Sequence, residues 1–170
     1  MTRLIIAALI TLLATPAFAA DAPKTETAKS PKNVVTYQGI KNLSAVNKAY
    51  YDKAAAEKGV IQSRSGLLYK SLKEGSGASP GILSKVKVDY RGTLINGKEF
   101  NSTYSRKRPE THTMNRIFLC WQEGLLKMKE GGKAKLVCPP EIAFGGDGAG
   151  KVVPPNAIVT YEIELLEVKK

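Results

Sequence analysis

One histidine, two cysteines and one tryptophan in 170 residues leave little material for most enzyme chemistry. A lone His112 cannot build a histidine metal cluster or a conventional triad. In the alternating run ETHTM it reads as a strand-surface residue rather than a base. Cys120 and Cys138 lie 18 positions apart, too far for a redox CxxC pair. No spacing singles out two acids for general acid–base work. Acids are also in deficit: 15 Asp+Glu face 26 Lys+Arg, a formal net charge of +11. The longest basic run is Arg106-Lys107-Arg108, and the other lysines are scattered along strand surfaces, which reads as a solvated basic face rather than a nucleic-acid site. Long apolar runs are absent beyond the N-terminus, so no membrane span is expected. The N-terminus carries Arg3, an apolar run from Leu4 to Leu13, then Ala17-Phe18-Ala19. That run is too short to cross ~30 Å of hydrocarbon and matches a secretory signal peptide over residues 1–19, cleaved after Ala19. The expected location is periplasmic or secreted.

What is plentiful is glycine, and residues 145–152 read GGDGAGKV. Gly145, Gly150 and Lys151 have the spacing of a phosphate-cradling loop. Such a loop needs Ser or Thr next and a helix behind it. Val152, Val153 and Pro154-Pro155 follow instead, with no hydroxyl and two lost backbone donors where the helix would begin. Nucleotide binding is excluded, and the loop requires another role.

Residues 20–42 hold a Lys-, Thr- and Pro-rich stretch with little to bury, a flexible linker. Residues 43–60 form a helical appendage: Ser44 can cap it, Gly59 suits its end, and Val46, Tyr50 and Ala54 make a stripe. The stripe is too short for a coiled coil, so it packs on its own domain or makes a weak homodimer; otherwise the chain is a monomer. Residues 61–170 form the main domain. In VKVDYRGTL, Val86, Val88, Tyr90 and Leu94 alternate with polar residues, as do Val159, Tyr161, Ile163 and Leu165 in the last strand. Ala134, Leu136 and Cys138 oppose Lys133, Lys135 and Val137. Period two with one wet face predicts an antiparallel sheet. Asn96-Gly97 marks a hairpin, and one helix from Trp121 to Lys129 interrupts the strands. The fold class is α+β: a curved antiparallel β-sheet, a half-barrel, wrapped over one short α-helix and preceded by an N-terminal helix.

The remaining chemistry is aromatic: Tyr90, Phe100, Phe118, Trp121, Phe144 and Tyr161. These rings fit a plain hydrophobic core, and equally the lining of an apolar pocket with Trp121 as its floor. Three runs decide between these: VDYRGTLINGKEFNSTY, IFLCWQEGLLKMKEGGKAKLVCPPEIAFG and VVPPNAIVTYEIELLEV. In that order they resemble an FKBP-type peptidyl-prolyl cis–trans isomerase over residues 66–168. The preceding AAAEKGVIQSRSGLLYKSLKEG is similar to the exported bacterial Mip-like branch, with a shortened N-terminal helical region.

The resemblance implies rotation about an X–Pro bond, a reaction that needs no nucleophile, metal or cofactor. It implies Trp121 as floor, with Tyr90, Phe100, Ile117, Phe118 and Tyr161 as walls and Val152 and Val153 at the rim. The Phe118 N–H would meet a substrate carbonyl, and residues 145–151 would be a flap over the pocket. Implied partners are proline-containing polypeptides, unfolded client proteins and the family's macrocyclic inhibitors. Four positions depart from the usual pattern. Asn101 stands where an acid would join a network with Tyr90 and Arg106. Phe144 lacks the hydroxyl of the usual A-Y-G, and Phe118 and Cys120 bring bulk and a thiol to V-I-P-G-W. An exported isomerase that assists folding of envelope or secreted proteins is the first reading. A proline-peptide-binding chaperone with little isomerase activity is the alternative, favoured by Asn101 and Phe144.

A disulfide between Cys120 and Cys138 follows from lengths. A helix from Cys120 to Lys129 advances about 13 Å at ~1.5 Å per residue. The strand from Lys133 to Cys138 returns about 16 Å at ~3.3 Å per residue, so Cys138 finishes beside Cys120. The competing reading is two buried free thiols acting as small hydrophobes.

Overall fold

The computed structural model describes residues 44–169. The leader expected at residues 1–19 and the linker at 20–42 fall outside them. The elements run α1 (Ala45–Ala55), β1 (Val60–Gln62), β2 (Leu68–Lys73), β3 (Lys85–Leu94), β4 (Glu99–Ser102), α2 (Thr103–Arg106), β5 (Glu110–Thr113), α3 (Leu119–Leu125), β6 (Lys133–Cys138) and β7 (Val159–Lys169). All strand pairs are antiparallel, in the order β1-β2-β6-β7-β3-β4, with β5 also on β3.

The alternation expected in β3 is observed: Val86, Val88 and Tyr90 are buried while Lys85, Lys87 and Arg91 are exposed. The same face of β6 and β7 buries Leu136, Ile163 and Leu165. Together these side chains make the concave face that receives α3, whose Trp121 and Leu125 join the same core. Burying a Leu or Ile contributes ~1.5–3 kcal/mol each, so this face holds the sheet to the helix. The helix stops at Leu125, four residues short of the expected Lys129; hydrogen-bonded turns carry the chain from there to Gly132. A second short helix, α2, also interrupts the strands, where only one helix was expected.

One edge of β3 is shared end to end. Its first half pairs with β5 (Val88↔Glu110, Val86↔His112), and its second half pairs with β4 (Gly92↔Asn101). The break between them is α2, whose Ser102 cap accepts from the Ser105 N–H and whose end turns through Lys107 at φ 51°. Thr103 Oγ1 accepts from the Tyr90 N–H at 2.8 Å, which sews the break to β3. Gly92 is required by close approach: a Cβ there would lie 2.8 Å from both Phe100 and Tyr161.

The outer face of β2, β6 and β7 carries the partly exposed Lys70, Lys133 and Glu162, as the one-sided pattern expects, but one end of it is dry. Helix α1 covers it: Tyr51 and Ala54 pack on Leu68, Val137 and Ile158. The stripe is therefore rotated from the one expected, because Val46 is 68% exposed while Tyr51 is buried. Ser44 caps the helix through the Asn47 N–H, as expected. Polar ties complete the docking. Tyr51 donates to Gly66 O at 2.5 Å, the Tyr50 and Thr160 hydroxyls meet at 2.8 Å, and Asn47 Nδ2 donates to Asn156 O at 2.9 Å. Past the helix end, Glu57 sits between Lys135 (2.9 Å) and Lys70 (3.1 Å). Hydrogen bonds from Lys135 and then Lys70 hold its carboxyl below the ordinary range, against a smaller opposing effect of burial. Among the described residues no helix is long and apolar enough to cross a membrane.

Candidate functional site

Four elements and the segments holding Phe118 and Phe144 bring aromatic rings together around Trp121. The tryptophan stands in the first turn of α3, and its side chain is almost wholly buried. Tyr90 from β3 meets it edge-on at 4.7 Å between centroids, and Tyr161 from β7 at 5.2 Å. Phe118, just before α3, lies tilted on it at 5.4 Å. Phe100 from β4 contacts Tyr161 at 5.7 Å and Phe144 at 5.9 Å. Phe118 also touches Phe144 (5.8 Å) and Tyr161 (5.7 Å) and so spans the mouth of the cluster. Edge-to-face pairs of this kind contribute ~0.5–1.5 kcal/mol each beyond burial.

Two polar tips lie in this apolar setting. Trp121 Nε1 is buried with no hydrogen-bond partner among the described residues. Burial pushes the Tyr161 phenol far above its usual value, helped by Tyr90, so it stays a neutral hydroxyl. The Phe118 N–H donates no hydrogen bond among the described residues, while Phe118 O accepts from the Trp121 and Gln122 N–H groups at 3.1 and 3.2 Å. Half-buried Ile117 packs against the core, and its carbonyl accepts from Gln122 Nε2 at 2.6 Å.

A polar wall closes one side, built from the β4–α2–β5 edge. Arg106 donates to Asn101 Oδ1 at 2.5 Å, to the Tyr90 hydroxyl at 3.3 Å and to Glu110 Oε1 at 2.6 Å. Tyr90 in turn donates to Glu110 Oε2 at 3.2 Å. Burial raises the Tyr90 phenol above its usual value more than Arg106 lowers it. Burial also opposes ionisation of Glu110, but the hydrogen bonds from Tyr90 and Arg106 outweigh it and hold the carboxyl below its ordinary value. His112 Nε2 lies 3.2 Å from Glu110 Oε2, and its ring stands edge-on to Trp121 at 5.6 Å.

Tyr90, Phe100, Phe118, Trp121, Phe144 and Tyr161 are thus assembled in one cluster, with Ile117 beside it and Asn101 and Arg106 on the polar wall. Val152 is half exposed, whereas Val153 is completely buried in the core and does not stand at the rim expected of it. The reason is the return of the loop: Ala149 and Val153 form a β-bridge that turns the Val153 side chain inward. The loop is compact. Gly148 adopts φ 65°, and a Cβ there would lie 2.3 Å from Val153 O. Its foot is tied by Asn156 N to Gly145 O at 2.9 Å. Behind Trp121, Cys120 and Cys138 are joined by a disulfide with Cα atoms 5.8 Å apart, both fully buried. It links the start of α3 to the strand end that leads through Pro139-Pro140 to Phe144.

Glu110 and His112 were not among the sequence candidates. Their signal was the alternation in ETHTM, which puts both on one face of β5; which face that is depends on pairing with Val88 and Val86 of β3.

Comparison with known proteins gives one consistent result. The profile of the family described as FKBP-type peptidyl-prolyl cis-trans isomerase matches residues 77–166. The chain is 44% identical over 125 residues to the FKBP-type peptidyl-prolyl cis-trans isomerase FkpA of Escherichia coli K12, covering 74% of this chain and 46% of that protein. It is 40% identical over 112 residues to the peptidyl-prolyl cis-trans isomerase Mip of Coxiella burnetii, covering 66% and 49%. It therefore spans about half the length of these relatives. Among solved structures it resembles FkpA from Escherichia coli with a TM-score of 0.70 at 44% identity, over 72% of this chain and 57% of that one. A peptidyl-prolyl cis-trans isomerase from Pseudomonas syringae gives 0.69 at 30% identity, over 76% and 99%.

Proposed function

Since this chain belongs to the FKBP-type peptidyl-prolyl cis-trans isomerases, we propose that it catalyses rotation about X–Pro bonds at the aromatic cluster, in proteins or peptides of an exported compartment. The observation that carries this reading is the set of rings around Trp121. The uncatalysed barrier to rotation is ~18–20 kcal/mol and comes from resonance that places charge on the imide oxygen and nitrogen. An apolar cradle disfavours that charge-separated planar form. A ring-lined pocket that fits the twisted proline better than the planar one lowers the barrier by differential binding.

Trp121 serves as the floor under the proline ring. Tyr90, Phe100, Phe144 and Tyr161 form the walls, with Ile117 beside them. The unpaired Phe118 N–H meets the carbonyl of the substrate, and Val152 edges the opening. Asn101 and Arg106 present polar groups to the flanking backbone. The unfolded segments of client proteins, and macrocycles that imitate them, fit the same surface. Export is supported by the signal-like residues 1–19 and by the buried disulfide, which persists in an oxidising compartment. Isomerisation there assists the folding of envelope or secreted proteins. We assign residues 61–170 to the catalytic domain and residues 43–60 to an N-terminal cover. A proline-peptide-binding chaperone remains the second reading, because Phe144 offers no hydroxyl to a ligand carbonyl and Asn101 no charge.

A protease-coupled assay on an X–Pro peptide tests the proposal. Trp121→Ala should lower kcat/KM by at least about tenfold, the equivalent of ~1.4 kcal/mol. His112→Ala should have a smaller effect. Equal losses would show that the cluster is not the catalytic pocket. A wild type that binds the peptide without accelerating its isomerisation would favour the second reading.

A further inference from the structure

The sequence leaves a gap at position 101. An acid is expected to join Tyr90 and Arg106 there, and the residue is Asn101. The structure fills that gap from a different strand. Glu110 on β5 holds Arg106 through Oε1 at 2.6 Å and receives the Tyr90 hydroxyl on Oε2 at 3.2 Å. Asn101 keeps a neutral contact with the same guanidinium at 2.5 Å. We propose that Glu110 is a positioning residue for isomerisation, supplying from β5 the carboxylate that position 101 lacks. The proposal rests on the isomerase reading above.

The geometry makes the assignment specific. The Tyr90 hydroxyl is caught between a donor, Arg106, and an acceptor, Glu110, which fixes its rotation and holds the phenol ring edge-on to Trp121 at 4.7 Å. Other charges face the carboxylate. Arg106 comes from α2, His112 lies on its own strand at 3.2 Å, and Arg108 lines the same open depression with Pro109 and Thr111. Among the described residues no second acid is hydrogen-bonded to this cluster. Exchanging the carboxylate for a carboxamide leaves one acceptor oxygen where two serve Arg106 and Tyr90, and puts an NH2 donor in place of the other. Either Arg106 or the Tyr90 hydroxyl then loses its acceptor, and the wall loses its fixed shape. The side chain of Glu110 is 35% exposed, so the effect falls on orientation of the wall more than on global stability. Lengthening the carboxylate by one methylene and moving it from β4 to β5 keeps the same two partners, Tyr90 and Arg106, because β4 and β5 share one edge of β3 across α2.

The test is a four-member cycle in the full chain: wild type, E110Q, N101D and E110Q/N101D. The readouts are kcat/KM on an X–Pro peptide, fluorescence of the single tryptophan during titration with that peptide, and the melting temperature. E110Q should lose about 5- to 20-fold in kcat/KM, less than the full effect of a buried charge-assisted hydrogen bond because the carboxylate is partly exposed, with its melting temperature nearly unchanged. N101D alone is the baseline for the double variant, so that recovery is read as a coupling between the two positions rather than as a sum of separate effects. E110Q/N101D should return most of the lost activity, because the carboxylate is restored at the expected position. If E110Q does not fold, E110D gives the same comparison, with a smaller loss that N101D again recovers. An active wild type with an unaffected E110Q overturns the proposal. So does a loss that N101D fails to recover, which would mark Glu110 as a support of β5 alone. A wild type that neither isomerises the peptide nor changes fluorescence removes the isomerase reading itself, and this proposal with it.

Discussion

Reducing the disulfide between Cys120 and Cys138 should lower the melting temperature by about 12 °C. The bond closes a loop with a sequence separation of 18. In the chain-entropy account, opening a loop of this size returns ~11 cal/mol/K to the unfolded chain, or ~3 kcal/mol at 25 °C. For residues 44–169, the unfolding entropy at ~2.1 cal/mol/K per residue is about 0.26 kcal/mol/K, and the quotient is the ~12 °C shift. Both cysteines are fully buried, so reduction must be carried out on unfolded protein, followed by refolding with reductant present. Calorimetry of the two forms gives the shift, and labelling of denatured protein counts the thiols. Cys120→Ala with Cys138→Ala is the matching variant. Serine would confound the measurement by burying an unpaired hydroxyl at ~1–3 kcal/mol each. In urea the reduced form should also show a larger m-value, since its unfolded chain exposes more surface. Melting points within about 3 °C of each other would refute the entropic reasoning. Two free thiols in protein exported by its native host would refute the bond.

Phe118→Ile should tighten binding of a proline peptide by about 3- to 10-fold, because Phe118 must leave ring contacts worth ~0.5–1.5 kcal/mol to admit a ligand. Tryptophan fluorescence titration measures this, and weaker binding would show that Phe118 is a contact rather than an obstruction. The Glu57 carboxyl is depressed by Lys135 and Lys70, so its stabilising effect is present above the ordinary value of 4.5 and is lost as pH falls through the depressed value. Glu57→Gln should therefore lower the melting temperature at pH 7 by a degree or so, as expected for a partly exposed ion pair of ~0–1 kcal/mol. It should also flatten the decline below pH 4.5; parallel wild-type and variant curves across acid pH would contradict the assigned cause.

The parts of the fold that could be read from sequence are those where one strand's own alternation decides the face. Val86, Val88 and Tyr90 announce their burial without reference to any neighbour. The disulfide was readable for a related reason: the return of β6 to the head of α3 depends on total path length, which is preserved although the helix ends at Leu125 and turns complete the route. Where burial depends on a distant element, local pattern failed. Val137 lies among lysines and reads as a wet-side residue, yet α1 covers it. The buried stripe of α1 is set by where Tyr51 meets Leu68 and Ile158, contacts that span many residues of sequence. The aromatic cluster was recognisable by resemblance, ring by ring. Glu110 was not, because its role arises from the way α2 interrupts one edge of β3 and brings a β5 side chain to a β4 network.

The hydrogen bond from Asn47 to Asn156 ties α1 to the foot of the 145–151 loop. Asn156 is also the residue whose N–H grips Gly145 O, immediately after Phe144. Hydrogen bonds on either side of Asn156 thus connect the first turn of the N-terminal helix to the root of the 145–151 loop. A domain cut after α1 would keep every ring of the Trp121 cluster and still lose this brace. One such bond contributes ~0.5–1.5 kcal/mol, which limits its effect on the loop's conformational equilibrium to about tenfold. Linkage works in both directions. Under the proposed role of this loop as a flap, a ligand that held it shut would also tighten α1 onto the sheet, and the helix on the far face would register whether the pocket is filled.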